Sequence, residues 1–70
     1  MNIIEMMKKA ARGKMKVRVV DIDDIIYEGF ASTYTKADDE ENGIPSFAID
    51  TDDKGGWVLF ENEIKSIEII

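Results

Sequence analysis

The sequence has no cysteine and no histidine among its 70 residues. Without cysteine, no disulfide can stabilise the fold. The usual acid–base and thiol groups of enzymes are missing as well. We therefore expect a noncatalytic protein that uses no cofactor.

Long apolar runs are also missing. No run approaches the ~20 residues that a membrane helix needs. The segment Met1–Glu5 lacks the basic start and the long apolar middle of a secretion signal. These features predict a cytoplasmic protein without a membrane. Seventy residues leave room for a single domain, residues 1–70, which is marginal in size but able to fold alone.

Positive charge is scarce and is concentrated at one end of the chain, whose formal net charge is −6. Residues 1–18 carry six cations and one acid, a balance of +5. Residues 19–70 carry fourteen acids and three lysines, a balance of −11. Such asymmetry can mark an interaction surface, but a solvated helix end and strand face would produce it too.

The first thirteen residues have the pattern of an amphipathic helix. Asn2 is a good N-cap, and Glu5 follows three residues later, as in a capping box. Gly13 is placed to end the helix in a left-handed cap. The pattern predicts a helix over residues 2–12, which must pack on another element because it is short. The residues at helical spacing on its apolar face are Ile3, Met6, Met7, Ala10 and Ala11.

From Lys14 onward the apolar period changes to two, which is typical of strands. Gly29 lies inside the second strand and indicates a bend or a close approach of another backbone. The segment Trp57–Phe60 is apolar throughout, which indicates burial on both sides, or on one side with a partner covering the other. The five predicted strands cover residues 14–20, 25–35, 45–49, 57–60 and 64–70.

Five short strands in a chain too small for a sandwich favour a small closed barrel. Closure removes exposed sheet edges, which a chain of this size has no other way to cover. We expect a mainly β protein in which the N-terminal helix, residues 1–13, caps one open end of a five-stranded β-barrel, residues 14–70.

The order of a helix and five strands resembles the Sm-like fold over nearly the whole chain. The first Sm motif is matched by Val17-Arg18-Val19, the Asp23-Asp24 turn, and then Tyr27, Gly29, Ala31 and Tyr34. In the second motif, the apolar Val58-Leu59-Phe60 leads into Glu61-Asn62 and then Ile64 and Ile67. A Src-homology-3-like barrel has the same strand count and stays open as an alternative.

The departures from this resemblance fall on the family's RNA pocket. Thr35 stands where the family has an aspartate, and Glu61 where it has the arginine of an Arg-Gly pair. Asn42 matches the family's asparagine only if the loop that precedes it is longer here than in the family. A glutamate in place of a phosphate-facing arginine reverses the local charge. The resemblance therefore implies the fold without the usual RNA pocket.

Exposed apolar residues are expected to form a protein interface. Phe30 and Trp57 have the strand parity opposite to the predicted core residues, which include Val58, and are expected to be exposed together. In Sm-like barrels the last two strands close rings, so a homo-oligomer is expected here. The interface candidates are Phe30, Trp57, Leu59, Ile67 and Ile69.

Two charged segments suggest other partners. Lys14, Lys16 and Arg18 form a basic strip that could contact nucleic-acid phosphates, although the net charge disfavours a nucleic-acid partner. The acidic run Asp38–Glu41 could dock a basic protein or mimic DNA, as in an inhibitor of phage or mobile-element origin, or it could simply be a solvated loop.

The segment Asp50–Glu61 matches a calcium-binding loop at positions one, three, six and twelve. A cation, Lys54, occupies position five, and the flanking segments have the pattern of strands. A hairpin is therefore favoured. Weak divalent-metal binding by Asp50, Asp52 and Asp53 is the alternative.

Three functions follow from these features. The first is a noncatalytic, self-associating interaction module without the Sm RNA pocket. The second is an acidic inhibitor that binds a basic protein. The third is nucleic-acid binding through the basic strip.

Overall fold

The computed structural model describes residues 2–70 and shows one helix followed by five strands. Helix α1 spans Ile3–Gly13, and 3-10 turns cover Ala37–Asp39 and Glu61–Glu63. The predicted mainly β class with an N-terminal helix is confirmed. Among residues 2–70, no helix combines the length and apolar character that crossing a membrane requires. Strands β1 to β5 span Lys16–Asp21, Ile26–Thr35, Ser46–Thr51, Gly55–Phe60 and Ile64–Ile69.

The ends of α1 are fixed by local hydrogen bonding and packing. The Asn2 side chain accepts a hydrogen bond of 2.8 Å from the Glu5 backbone N–H, as an N-cap does. The left-handed residue at the other end is Lys14, with φ 50°, rather than Gly13 as predicted. Gly13 is instead the last helical residue, and a Cβ there would lie 2.8 Å from the Met15 side chain. The absence of a Cβ atom at Gly13 therefore leaves space for the Met15 side chain.

The five strands form one antiparallel sheet in the order β4-β3-β2-β1-β5. The predicted closure into a barrel is wrong for residues 2–70, because β4 and β5 lie at opposite edges of the sheet and do not pair. The short turn that joins β4 to β5 is held by a backbone hydrogen bond at each of its ends. The Glu61 N–H donates to the Pro45 carbonyl at 2.8 Å, and the Ile22 N–H donates to the Glu63 carbonyl at 3.0 Å.

One face of the sheet packs against α1 and forms the core. The largest fully buried side chains are Phe47, Met7, Ile49, Val17 and Val19. Gly29 confirms the predicted close approach of backbones, since a Cβ there would lie 2.0 Å from the Asp50 carbonyl oxygen on β3. The face of the sheet that carries Val17, Val19 and Phe47 is called the inner face below, and the opposite face is called the outer face.

Candidate interaction surfaces

The outer face carries an exposed aromatic side chain, Phe30, which is 52% exposed. Phe30 lies opposite Lys16 on β1 and opposite Asp50 on β3. The Lys16 ammonium group lies 5.9 Å from the centre of the Phe30 ring, a cation–π distance. The predicted exposure of Phe30 is therefore seen in the structure.

Strand β4 is an edge strand without a single charged residue. Val58, at 55% exposure, lies opposite Ala48 on the outer face. A shallow depression of about 220 Å³ runs along this part of the outer face, and Gly56 leaves it open because a Cβ there would meet nothing within 4 Å. The edge therefore offers apolar side chains and unpaired backbone groups together.

Trp57 is 43% exposed, but it lies on the inner face and not beside Phe30. Its partner across the strands is the buried Ile49, and its ring centre lies 5.5 Å from that of the buried Tyr27. The indole N–H donates to the Lys54 carbonyl at 3.0 Å. The predicted strand parity of β4 is thus wrong, because Val58 is the outward residue of the pair.

The other interface candidates lie on the inner face. Leu59 is buried against Phe47 in the core and is not available to a partner in this structure. Ile67 packs against the core on β5, and Ile69 is 37% exposed near the chain end. The interface candidates therefore do not form one continuous surface.

The basic strip divides into paired and unpaired cations. Arg18 lies between Glu28 and Glu68, with nitrogen–oxygen distances of 2.5 and 2.8 Å. The hydrogen bonds that its guanidinium donates, first to Glu28 and then to Glu68, raise the pKa of Arg18. Lys16 lies 3.5 Å from Asp52. These two cations are therefore neutralised on the outer face and offer little free charge to a phosphate.

Lys14 belongs to a separate groove between α1 and the end of β2, with a volume of about 490 Å³. Its ammonium group donates to the Ser32 carbonyl at 2.5 Å, where a β-bulge interrupts the pairing of β2 with β3. The Lys8 ammonium group lies 5.5 Å from the centre of the Tyr34 ring. This groove is called the α1–β2 groove and is lined by Lys8, Ala11, Arg12, Lys14, Ser32, Thr33 and Tyr34.

The buried carboxylate of Asp21 holds the turn between β1 and β2. It accepts hydrogen bonds of 2.9 Å from the backbone N–H groups of Asp23 and Ile25, and one of 3.1 Å from the Tyr27 hydroxyl. Burial raises the pKa of Asp21, but the hydrogen bonds outweigh burial and leave that pKa below its ordinary value. Burial and the contact with Asp21 raise the pKa of Tyr27. This pair anchors a turn.

The metal candidates Asp50, Asp52 and Asp53 lie in or beside the β3–β4 hairpin. Asp52 pairs with Lys16 at 3.5 Å, and Asp53 with Lys54 at 3.2 Å. No group of three or more carboxylates suited to holding a metal ion occurs within the part of the chain that the structure describes. The geometry gives the metal prediction no support, because cations already neutralise two of the three carboxylates.

The acidic run Asp38–Glu41 follows β2 and includes part of a 3-10 turn. The Glu40 carboxylate accepts a hydrogen bond from the Ser46 hydroxyl at the start of β3. The other three acids are exposed and form no ion pair with any residue from 2 to 70. Docking of a basic protein on this loop stays a prediction.

Comparisons with known proteins inform the fold only. No protein-family model matches the sequence, and no curated protein matches it either. Among solved structures, YaeO from Vibrio cholerae O395, which was solved bound to magnesium, is similar with a TM-score of 0.75 at 15% sequence identity. The match covers 93% of this chain and 79% of YaeO. At this identity the likeness supports the arrangement of helix and strands and does not transfer a function.

Sequence reasoning missed the α1–β2 groove and the exposure of Val58. The spacing of Lys8 and Arg12, four residues apart, does place both on one side of a helix. The residues on β2 that complete the groove, from Ser32 to Tyr34, become its neighbours only through the packing of α1 on the sheet.

Proposed function

We propose that this chain is a noncatalytic interaction module that self-associates through β4. The observation that carries the proposal is an uncharged, apolar strand at an open sheet edge, Gly55–Phe60, with Val58 exposed on it and Phe30 exposed on the same outer face. Unpaired backbone groups on such an edge form hydrogen bonds with the edge of another chain.

The two edge strands of the sheet differ in whether charged residues protect them against pairing with another chain. The other edge strand, β5, carries Lys65 and Glu68, and the Lys65 ammonium group pairs with Asp24 at 2.6 Å. Charged side chains on an edge, lysine above all, oppose pairing with a further strand. Strand β4 has no such residue, which favours it as the associating edge.

A second copy of this chain is a suitable partner for β4. Lys54 directly precedes the strand and Glu61 directly follows it. Two copies of β4 paired antiparallel about Val58 would bring the lysine end of one strand near the glutamate end of the other. Such a two-fold interface uses the same surface on both copies and buries no charged side chain at its centre.

Two further features support a noncatalytic role. The sequence has neither histidine nor cysteine, and the hydrogen-bonded Asp21–Tyr27 pair is buried. The Sm-like resemblance supports self-association but not the same contact, because that family assembles through both of its last two strands. In this proposal one of those strands, β4, provides the contact.

The test is the molar mass in solution, measured by light scattering coupled to size exclusion over a range of micromolar concentrations. We expect the wild-type chain to approach the mass of a dimer as its concentration rises. Val58→Lys places a charge at the centre of the edge and should give a monomer at every concentration.

The matched control is Ile22→Lys, since Ile22 is 62% exposed and lies in the β1–β2 turn. This variant adds the same charge outside β4 and should associate as the wild-type chain does. A wild-type chain that stays monomeric throughout, or equal masses for the two variants, would contradict the proposal.

A further inference from the structure

The α1–β2 groove collects cations that no acid neutralises. Lys8, Arg12 and Lys14 line it, and none of the three forms an ion pair with a residue between 2 and 70. Four of the other cations, in contrast, each pair with a carboxylate: Lys16, Arg18, Lys54 and Lys65. The chain as a whole has a net charge of −6, whereas the three unpaired cations make the surface around this groove positive.

Hydroxyl groups lie on the opposite wall of the groove. Ser32 and Thr33 are exposed at the bulge in β2, and their hydroxyl oxygens are 3.4 Å apart. Ammonium, guanidinium and hydroxyl groups are the donors with which proteins bind phosphate oxygens. From this donor set we infer that the α1–β2 groove binds the phosphate group of a small phosphorylated ligand.

The helix terminus does not prevent this binding. A helix C-terminus is electronegative and repels anions when its carbonyls are free. Here the N–H of Lys14 donates to the Ala11 carbonyl at 3.2 Å, and the N–H of Met15 donates to the Ala10 carbonyl at 2.9 Å. These bonds satisfy two of the last four carbonyls of α1 and so reduce the free negative charge that opposes the side-chain cations at the groove.

The surroundings of the groove favour a compact ligand over a nucleic-acid strand. A second, adjoining depression on the helix surface is lined by Glu5 together with Lys8, Lys9 and Arg12. At the other end, Ser32 borders the depression that contains Asp50. A strand that left the groove past Ser32 would carry its next phosphates toward the Asp50 carboxylate. A strand that left along the helix would meet one further cation, Lys9, beside the Glu5 carboxylate. A ligand with one or two phosphate groups would end within the groove.

The test is a titration of isotope-labelled protein with inorganic pyrophosphate at low ionic strength, followed by amide chemical shifts. We expect saturable shifts at Ser32 and Thr33. Lys8→Gln and Arg12→Gln should each weaken binding about fivefold to tenfold, because each removes a charge-assisted contact. Both side chains are exposed, so the folded state should persist.

The control is Lys9→Gln, which removes the same charge from the neighbouring position, outside the groove. It should weaken binding by less than about twofold, since only the long-range field changes. Equal effects of Lys8→Gln and Lys9→Gln, or shifts that do not saturate, would overturn the inference. Tighter binding of a single-stranded oligonucleotide or an acidic peptide than of pyrophosphate at these amides would overturn it too.

Discussion

Gly29 lies at a point where β2 and β3 leave no room for a side chain. A Cβ there would come within 2.0 Å of the Asp50 carbonyl oxygen and 2.6 Å of the Thr51 Cα atom, both of them backbone atoms that cannot rotate away. We predict that Gly29→Ala lowers the free energy of unfolding by about 3 kcal/mol or more. Chemical denaturation measures this loss.

Gly56 provides the comparison for that variant. It lies in β4, and a Cβ there would meet nothing within 4 Å. Gly56→Ala should therefore change stability by less than about 1 kcal/mol. Similar losses for the two variants would show that the close contact at Gly29 is not the cause.

Asp21 makes stability depend on acid pH. Its pKa is lowered in the fold, so the folded state binds the proton more weakly than the unfolded chain does. The contribution is complete above the unfolded pKa of about 3.9 and is lost as the pH falls through the lower folded value. We predict that Asp21→Asn lowers the melting temperature at neutral pH by several degrees and flattens its fall between about pH 5 and pH 2.

Asp23→Asn is the control, since only the backbone N–H of Asp23 contributes to this turn. Its melting temperature should follow the wild-type profile over the same pH range. An unchanged acid profile for Asp21→Asn would mean that the hydrogen bonds from Asp23, Ile25 and Tyr27 do not set the dependence.

Helix α1 is the element whose start is best defined by sequence. We predict that Asn2→Ala lowers the free energy of unfolding by about 1 kcal/mol, because the Glu5 N–H loses its acceptor. Denaturant titration measures the change. Asn62→Ala lies in the 3-10 turn Glu61–Glu63, where the Asn62 side chain forms no hydrogen bond with a residue from 2 to 70, and should leave stability nearly unchanged. Equal losses would contradict the capping role.

The elements that sequence predicts well are those with local signals. The N-cap residue Asn2 and the change of period after Gly13 place α1 and β1 to within two residues. A glycine inside a strand predicts a bend or a close approach of another backbone at Gly29, and the structure shows the close approach. Such signals require no knowledge of the neighbouring elements.

Strand β4 is harder to predict, because every side chain from Trp57 to Phe60 is apolar and a uniform run has no period. Which residue points outward depends on the register with β3, where Phe47 faces Leu59 and Ala48 faces Val58. Whether the sheet closes depends likewise on which residues form hydrogen bonds with the turn between β4 and β5. The α1–β2 groove depends on the docking of α1. All three are properties of tertiary packing.

The molecule has one small core and should therefore unfold in one step. The midpoint of this unfolding transition should depend on the protein concentration. Trp57, 5.5 Å from Tyr27, reports on the core by fluorescence, and circular dichroism reports on the sheet. We predict coincident transitions by both probes.

If two copies associate only when folded, a higher protein concentration should raise the midpoint for the wild-type chain but not for Val58→Lys. A midpoint independent of concentration would count against association.

The most direct test of self-association through β4 is an isotope-filtered NOE spectrum of a sample that mixes labelled and unlabelled copies. Only protons of different copies give signals in it. We expect intermolecular contacts from Val58 and its neighbours on β4 to β4 of the other copy. A spectrum without intermolecular contacts at β4, or with contacts confined to β5 or α1, would contradict it.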